Sequence, residues 1–319
     1  MQGWGKTSSG KQRFFCPLCR RSSIKRRPDL RFKIDLQVFV SWLTTTTGLN
    51  TTAKRLRISR SNLTRSFIPF WKLLPQPLPI IFNSEVLVVD GVSVIKHHLV
   101  ALIIFDRLRR ITLSWYFAVR ESYSSWEVIF LRLKAQGVNP RVIVCDGQKG
   151  LIKAIYAVWP EAVIQRCLIH IHRQAKAWLT QNPQTDAGKE LLQIVKNLLQ
   201  IETDEQKNTW LKSFDEWLKK HDDFLKERSY HPINPKRWWY THKKLRAVRS
   251  LLKNSLNNLF IYLEDSKVPK TSNDMEGGIN SRIKDLLRIH RGLKPQHQQV
   301  LTAWYLATRQ GQKPTRNDH

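Results

Sequence analysis

Residues 36–47 (LQVFVSWLTTTT) set Leu36, Phe39, Val40 and Leu43 at helical spacing, which predicts an amphipathic helix. Gly48 ends it, Asn50 or Thr51 caps a short helix over residues 52–57, and Ser59 opens a third over residues 60–73. Pro75, Pro77 and Pro79 then form a stiff stretch. Beyond it the period changes. Residues 85–90, 94–105 and 110–119 are rich in Val, Ile, Leu and aromatics and predict three successive strands, the last with Trp115 and Phe117 opposite Ser114 and Tyr116. A helix over residues 126–136, a buried strand over 141–145, a helix over 149–158 stopped by Pro160, a strand over 162–166 and a helix from Leu168 complete the series. Residues 186–263 keep helical spacing, through Leu191, Ile194, Leu198, Trp210, Phe214 and Trp217, with Trp238-Trp239-Tyr240 opening a further amphipathic helix. No strand is evident there. The pattern predicts an α/β fold: a mixed sheet with an all-helical insertion, preceded by a small helical domain.

Charge changes the picture. Lys and Arg number 54 against 25 Asp and Glu, a formal net charge of +29, which calls for a polyanionic partner. Residues 1–84 alone hold 16 basic and 2 acidic residues, the mark of a DNA-docking module. Hydrophobic residues at 41%, with 12 Trp, exclude a disordered basic tail, and 4 Cys exclude a disulfide-built scaffold. The start is polar and basic rather than a signal peptide, and the apolar stretch over residues 86–105 is broken by Asp90, Lys96, His97 and His98, so no membrane span is expected. The expectation is a cytoplasmic, nucleic-acid-binding protein. Three short helices, the third carrying Arg60, Asn62 and Arg65, suit a helix-turn-helix. Cys16-Pro17-Leu18-Cys19 supplies two of the four thiolates of a zinc ribbon; a Zn2+ at Cys16/Cys19 and an unmetallated turn are the two readings.

Three carboxylates stand out by position. Asp90 is read as ending the first strand, before Gly91; Asp146 ends the strand over 141–145, before Gly147; Glu276 opens a helix running to about His290. In open sheets, catalytic groups gather at strand ends. Two or three hard oxygen ligands at an open site suit Mg2+, with Mn2+ as a substitute, and paired ions would serve an in-line phosphoryl displacement. Asp106 reads instead as closing a hairpin with Arg107, and Asp274 as a helix cap. His97 and His98, read as strand residues, point to opposite faces and make no metal pair. Gly147-Gln148-Lys149-Gly150 lacks the ending of a phosphate-binding loop.

The sequence resembles the mutator-like bacterial insertion-sequence transposases, named for an Asp-Asp-Glu (DDE) triad. The resemblance lies in Val88-Val89-Asp90-Gly91, in residues 144–151 (VCDGQKGL), in Trp159-Pro160 through Gln165-Arg166-Cys167-Leu168-Ile169-His170, and in Thr271-Ser272-Asn273 through Glu276-Gly277, with Arg288-x-His290-Arg291-Gly292. It implies a ribonuclease-H-like catalytic fold with a helical insertion between the second Asp and the Glu. It also implies a triad of Asp90, Asp146 and Glu276 as catalytic Mg2+ ligands, and a Cys-x-x-His signature at Cys167 and His170. Those two share a helix face; the reading favoured over zinc binding is that Cys167 packs against the sheet while His170 orients a neighbour. Arg166, Arg282, Lys284, Arg288 and Arg291 are candidate phosphate contacts. Relatives open with a complete zinc ribbon, whose first Cys pair is missing here as if the chain began at an internal Met.

The expected layout is a partial zinc-ribbon-like segment (1–30), a helix-turn-helix domain (31–74), a Pro-rich linker (75–84), a first catalytic part (85–180), a helical insertion (181–268) and final core helices (269–319). The implied activity is metal-dependent cleavage at element ends followed by strand transfer of the 3′ hydroxyl into target DNA. The partners would be the terminal repeats and target DNA, in a homodimer or higher assembly on DNA, in the bacterial cytoplasm at the nucleoid. The alternatives are an inactive or truncated DNA-binding relic and a ribonuclease-H-like nuclease that does not transfer strands.

Overall fold

Short polar strands and tight turns make the first structure in the chain, where few apolar residues are available to bury. The computed structural model describes residues 2–24, 35–234 and 236–310. Strands β1 (Gln2–Lys6), β2 (Gln12–Phe15) and β3 (Ser22–Ile24) pair antiparallel in that order. Trp4 and Phe15 meet with ring centroids 4.9 Å apart. The cysteine knuckle is the turn from β2 to β3, closed by the Cys16 N–H donating to the Arg21 carbonyl at 3.0 Å. The expected boundary between residues 30 and 31 falls within residues 25–34, outside the described residues.

Three helices follow: α1 (Leu36–Thr44), α2 (Leu49–Arg55) and α3 (Arg60–Phe67). α1 stops short of the predicted Thr47 because a run of β-branched threonines favours leaving the helix. α2 starts earlier than predicted, with Gly48 as its extended N-cap. Ser59 caps α3 as expected, its Oγ accepting from the Asn62 N–H at 3.2 Å. α3 ends at Phe67 rather than Leu73, because Pro69 cannot continue the backbone ladder. Phe39, Trp42, Phe67, Phe70 and Trp71 form one aromatic cluster, with Trp42 stacked on Phe67 at 5.0 Å. Among the described residues, those within 1–42 and 47–72 form one compact unit and those within 43–46 and 73–310 form a second.

The second unit is built on a five-stranded mixed sheet in the order β6-β5-β4-β7-β8. β4 (Val86–Ile95), β5 (Leu99–Asp106) and β6 (Ile111–Ala118) are an antiparallel meander; β7 (Val142–Cys145) and β8 (Val163–Arg166) run parallel to β4. Between them, α4 (Tyr123–Ala135) and α5 (Lys149–Val158) cover one face. Leu87, Val89, Leu102, Ile104, Ile143 and Cys145 meet Trp126, Phe130, Leu151 and Ile155 in that core. The alternate residues of β4 and β7 are also fully buried, which is why both strands read as unbroken apolar runs. The stretch read as a linker is tied to this unit: Gln310 accepts from the Leu78 N–H at 2.8 Å and donates to the Leu78 and Leu113 carbonyls, while Gln136 accepts from the Ile80 N–H.

After α6 (Leu168–Leu179) come α7 (Asp186–Leu198), α8 (Asp204–Lys220) and α9 (Asp222–Lys226). Here the expectation of an all-helical insertion needs correction. Residues 228–240 form an antiparallel ribbon, β9 (Arg228–Tyr230) against β10 (Trp238–Tyr240), so Trp238-Trp239-Tyr240 is strand rather than helix. Three aromatics in a row carry no helical period and favour a strand. α10 (Lys243–Lys253) and α11 (Ile261–Glu264) follow. Trp210, Phe214 and Trp217 are core, the two indoles donating to the Ile194 and Ala187 carbonyls at 2.8 and 2.9 Å. A π-helical segment, Asp274–Asn280, leads into α12 (Ser281–Ile289), and α13 (Pro295–Gln310) packs on β4 and β6. Among the described residues no helix is long and apolar enough to cross a membrane.

Phe130 is fully buried, with centroids 5.6 Å from Trp126 and 5.2 Å from Trp159. Phe130→Ala leaves a cavity that should lower stability by about 3–5 kcal/mol, read as a lower urea midpoint at unchanged slope.

Candidate active site

Asp90 does not end its strand, contrary to the sequence reading. β4 runs on to Ile95 because β5 pairs with it throughout, while the β4–β7 ladder stops at Val88 and Val144. Two residues further along the chain in each case stand Asp90, still within β4, and Asp146, just past the end of β7. Both therefore emerge where the parallel pair opens, the position at which a sheet offers side chains to a ligand. The strand predicted over 94–105 is likewise divided by a turn at residues 96–98, where His97 takes a left-handed φ of 62°, so the two histidines are turn residues.

Each aspartate is fixed by backbone. Asp90 Oδ1 accepts from the Gly91 N–H at 2.9 Å and its Oδ2 from Asn280 Nδ2 at 2.7 Å. Asp146 Oδ1 accepts from the Gln148 N–H at 2.9 Å. The glycine after each aspartate makes room for a neighbour. A Cβ on Gly91 would lie 2.3 Å from the Glu121 carboxylate, and one on Gly147, at φ +86°, would lie 1.7 Å from the Arg166 guanidinium. Arg166, predicted as a phosphate contact, is thus packed beneath the Asp146 turn, with Nη1 donating to Ser255 Oγ at 3.3 Å. Burial lowers its pKa.

Glu121 was missed in the sequence. It follows β6, which runs parallel to β4, so it emerges at the same edge of the sheet; that topological argument was the available signal. Burial, reinforced by Asp146 and Asp90, pushes its pKa up to about 7, from an ordinary value of 4.5. Burial likewise raises Asp90, normally near 3.8, to about 6, with His170 opposing and Asp146 and Glu276 adding to the rise.

Glu276 reaches the site from the π-helical segment and faces a different set of groups. Its Oε1 accepts from Ser272 Oγ at 3.0 Å and lies 3.3 Å from His170 Nδ1, and its Oε2 pairs with Arg173. Arg173, His170 and Ser272 together outweigh burial and hold its pKa below the usual value. Cys167 Sγ is fully buried and accepts from the Ser272 N–H and Oγ at 3.3 and 3.2 Å. Hydrogen bonding to Cys167 raises His170 to about 9, against the opposing effect of burial. The thiol thus anchors Ser272, and His170 and Ser272 hold the glutamate. Cys167, His170 and Glu276 also present one donor atom each within 4.8 Å of one another.

The remaining candidates are dispersed. Asp106 closes the β5–β6 turn but pairs with Arg109, at 2.9 Å, rather than Arg107. Asp274 does not cap a helix; it pairs with Arg107 at 3.2 Å. Arg282 is half-buried, Lys284, Arg288 and Arg291 are exposed, and Arg288 pairs with Asp285 at 2.9 Å. In the first unit, Arg60, Asn62 and Arg65 are exposed on α3, Cys16 is half-buried and Cys19 is exposed. Hydrogen bonds from the Cys19 backbone and side chain lower the Cys16 pKa.

A mixed sheet that gathers carboxylates beyond the end of its central parallel pair defines an α/β domain with an acidic candidate site. The family profile described as "Transposase, Mutator family" matches residues 79–230, a stretch holding Asp90, Glu121, Asp146, Cys167 and His170. A probable transposase for an insertion sequence element of Corynebacterium diphtheriae is 30% identical over 121 residues, covering 36% of this chain and 35% of the relative. The transposase for insertion sequence element ISRM5 of Rhizobium meliloti is 40% identical over 84 residues, 26% of this chain and 21% of the relative. That for IS905 of Lactococcus lactis is 37% identical over 75 residues, 23% and 19% of the two chains. The matches thus span between a fifth and about a third of the relatives' lengths. The similarity to the mutator family of transposases is thus carried by residues 79–230, just under half of the chain.

The two glycines differ in a testable way. Gly147→Ala meets both a left-handed backbone and a packed guanidinium and should cost about 1–3 kcal/mol in urea unfolding. Gly91→Ala meets only the movable end of Glu121 and should cost less.

Proposed function

We propose that the protein is a DNA transposase whose reaction takes place at Asp90, Asp146 and Glu276, with Glu121 as a fourth carboxylate of the site. The observation that carries this reading is the convergence of Asp90, Asp146 and Glu121 at the open end of the β4–β7 pair, where burial and mutual repulsion raise Asp90 and Glu121. The strand order, a three-stranded meander followed by two parallel strands on the side of the first, supports a ribonuclease-H-like core.

The donor set fits Mg2+ or Mn2+. It offers hard carboxylate oxygens, an unmet demand for positive charge and an exit toward solvent. Asp90, Asp146 and Glu121 would hold the ion, with Glu276 joining once Arg173 is drawn away; a bound ion supplies Lewis-acid stabilisation of the attacking and leaving oxygens. The chain's own residues do the positioning. Asn280 and the Gly91 N–H fix both oxygens of Asp90, so its orientation is set before substrate arrives. His170 and Ser272 steady Glu276. Arg173, whose side chain is 60% exposed, can exchange the glutamate for a DNA phosphate. Cleavage by water would free a 3′ hydroxyl, and that hydroxyl would attack target DNA with the same in-line geometry. Joining two ends calls for two copies of the chain on DNA. The α3 residues Arg60, Asn62 and Arg65 are suited to end recognition, and a zinc at Cys16 and Cys19 would need two further ligands.

The test is incubation of the full chain with DNA carrying its own gene and flanks, with Mg2+ or Mn2+. Discrete metal-dependent nicks and joined products are expected for the wild type, and neither for Asp146→Asn. Nicks without joined products would favour a nuclease, and binding without cleavage a relic. Glu121→Gln should lower the rate about tenfold or more while leaving DNA binding intact.

A second outcome follows from linkage. The folded protein holds protons on Asp90 and Glu121 up to about pH 6 and 7, whereas the unfolded chain releases them near 3.8 and 4.5. Their stabilising contribution is complete below those lower values and is lost as pH rises through 6 and 7. A divalent ion replaces the missing charge, so Mg2+ should raise the melting temperature more at pH 8 than at pH 5, and Asp146→Asn should abolish most of that rise.

A further inference from the structure

The insertion divides its charge along the sequence. Residues 186–227 hold ten acidic and seven basic residues, whereas residues 228–263 hold eight basic residues and no acidic one. The exposed aromatic rings of the insertion lie in the second part, on the ribbon. In the first part Trp210, Phe214 and Trp217 are 4%, 2% and 2% exposed, whereas on the β9–β10 ribbon Tyr230, Trp238 and Trp239 are 56%, 42% and 36% exposed. The core of the insertion is closed without them.

Exposed indoles on a two-stranded ribbon are costly in water unless something covers them. These are held in place by cations. The Arg228 guanidinium lies 4.1 Å from the Trp238 ring centroid, Arg246 lies 3.4 Å from that of Tyr240, and Lys243 Nζ lies 5.3 Å from that of Trp239. Strand alternation and the cross-strand pairing put Tyr230, Trp238 and Tyr240 on one side of the ribbon and Trp239 on the other. Lys236, Arg237, Lys243 and Lys244 are exposed nearby. α10 turns Leu245, Val248 and Leu252 into the core, which fixes the ribbon's basic surroundings on a rigid element.

We propose that this ribbon and the start of α10 form a DNA-binding surface for unpaired or unstacked bases, with Trp238 and Trp239 as stacking platforms and the surrounding Lys and Arg as phosphate contacts. Charge complementarity selects a polyanion, and the exposed rings select one with accessible π-faces. Within an intact duplex the base faces are covered by their neighbours, so the fit is to a strand freed from pairing, as at a nick, a gap or a melted end. The inference rests on the DNA-acting reading above for its partner but not on the carboxylate site for its chemistry.

The test uses the full chain without divalent metal, so that no cleavage intervenes. Binding is measured to a duplex and to the same duplex with a short unpaired stretch carrying a fluorescent adenine analogue. The wild type should prefer the unpaired DNA and quench the analogue. The double substitution Trp238→Ala, Trp239→Ala should weaken binding to unpaired DNA by about tenfold or more, abolish quenching and change duplex binding by less than about threefold. Trp→Phe at both positions should restore most of the preference, with matching circular dichroism showing that all variants fold. Equal binding of both DNAs by wild type and the alanine variant would overturn the proposal. So would a loss of self-association in sedimentation with DNA binding unchanged, which would make the ribbon an interface between copies. The assay contains no divalent metal and reads no cleavage, so failure of the catalytic reading and failure of this one are separate results.

Discussion

Carboxylates crowded at the open end of the β4–β7 pair repel one another, and the surrounding structure is arranged to hold them there. Burial removes the water that would screen them, raising Asp90 and Glu121. Such a cluster persists only where other interactions overdetermine its geometry. Asp90 is held by the Gly91 N–H and Asn280, Asp146 by the Gln148 N–H, and Glu276 by Ser272, His170 and Arg173. The two Asp-Gly pairs share one purpose, since each glycine leaves space for a side chain arriving from another strand.

The π-helical segment links this cluster to the end of the chain. Its wide turn directs Glu276 to α6 and Asn280 to β4, so one short segment reaches both halves of the site. The insertion between β8 and that segment lets Glu276 return to the sheet without a strand of its own. Cys167 is the anchor at the return point, a buried thiol that accepts two hydrogen bonds from Ser272. Cys145, one strand away in sequence order, shows the contrast: burial pushes its pKa up to about 12, and a backbone hydrogen bond at Gly147 and the nearby Arg166 offset only part of that rise.

Charge is organised at two scales. The carboxylate cluster is acidic, while the chain as a whole is basic, at +29. The insertion repeats the separation, with an acidic helical half and a basic half that carries exposed aromatics.

Hydrophobic periodicity alone determined the existence of the sheet strands, though not all their bounds, and the helices α4 to α6, because fully buried strands leave apolar runs. It also determined the cap at Ser59. Tertiary structure decided the rest. Asp90 lies within a strand, not at its end, because strand length is set by β5, a partner the local pattern does not reveal. Glu121 and Asn280 join the site through sheet order and a π-turn, neither of which leaves a periodic trace. Trp238-Trp239-Tyr240 is a ribbon because its pairing partner, Arg228–Tyr230, lies across a turn. Arg166 turned inward because Gly147 leaves room for it. Burial pattern is local and legible in one dimension; which side chains meet depends on contacts between segments far apart in the chain.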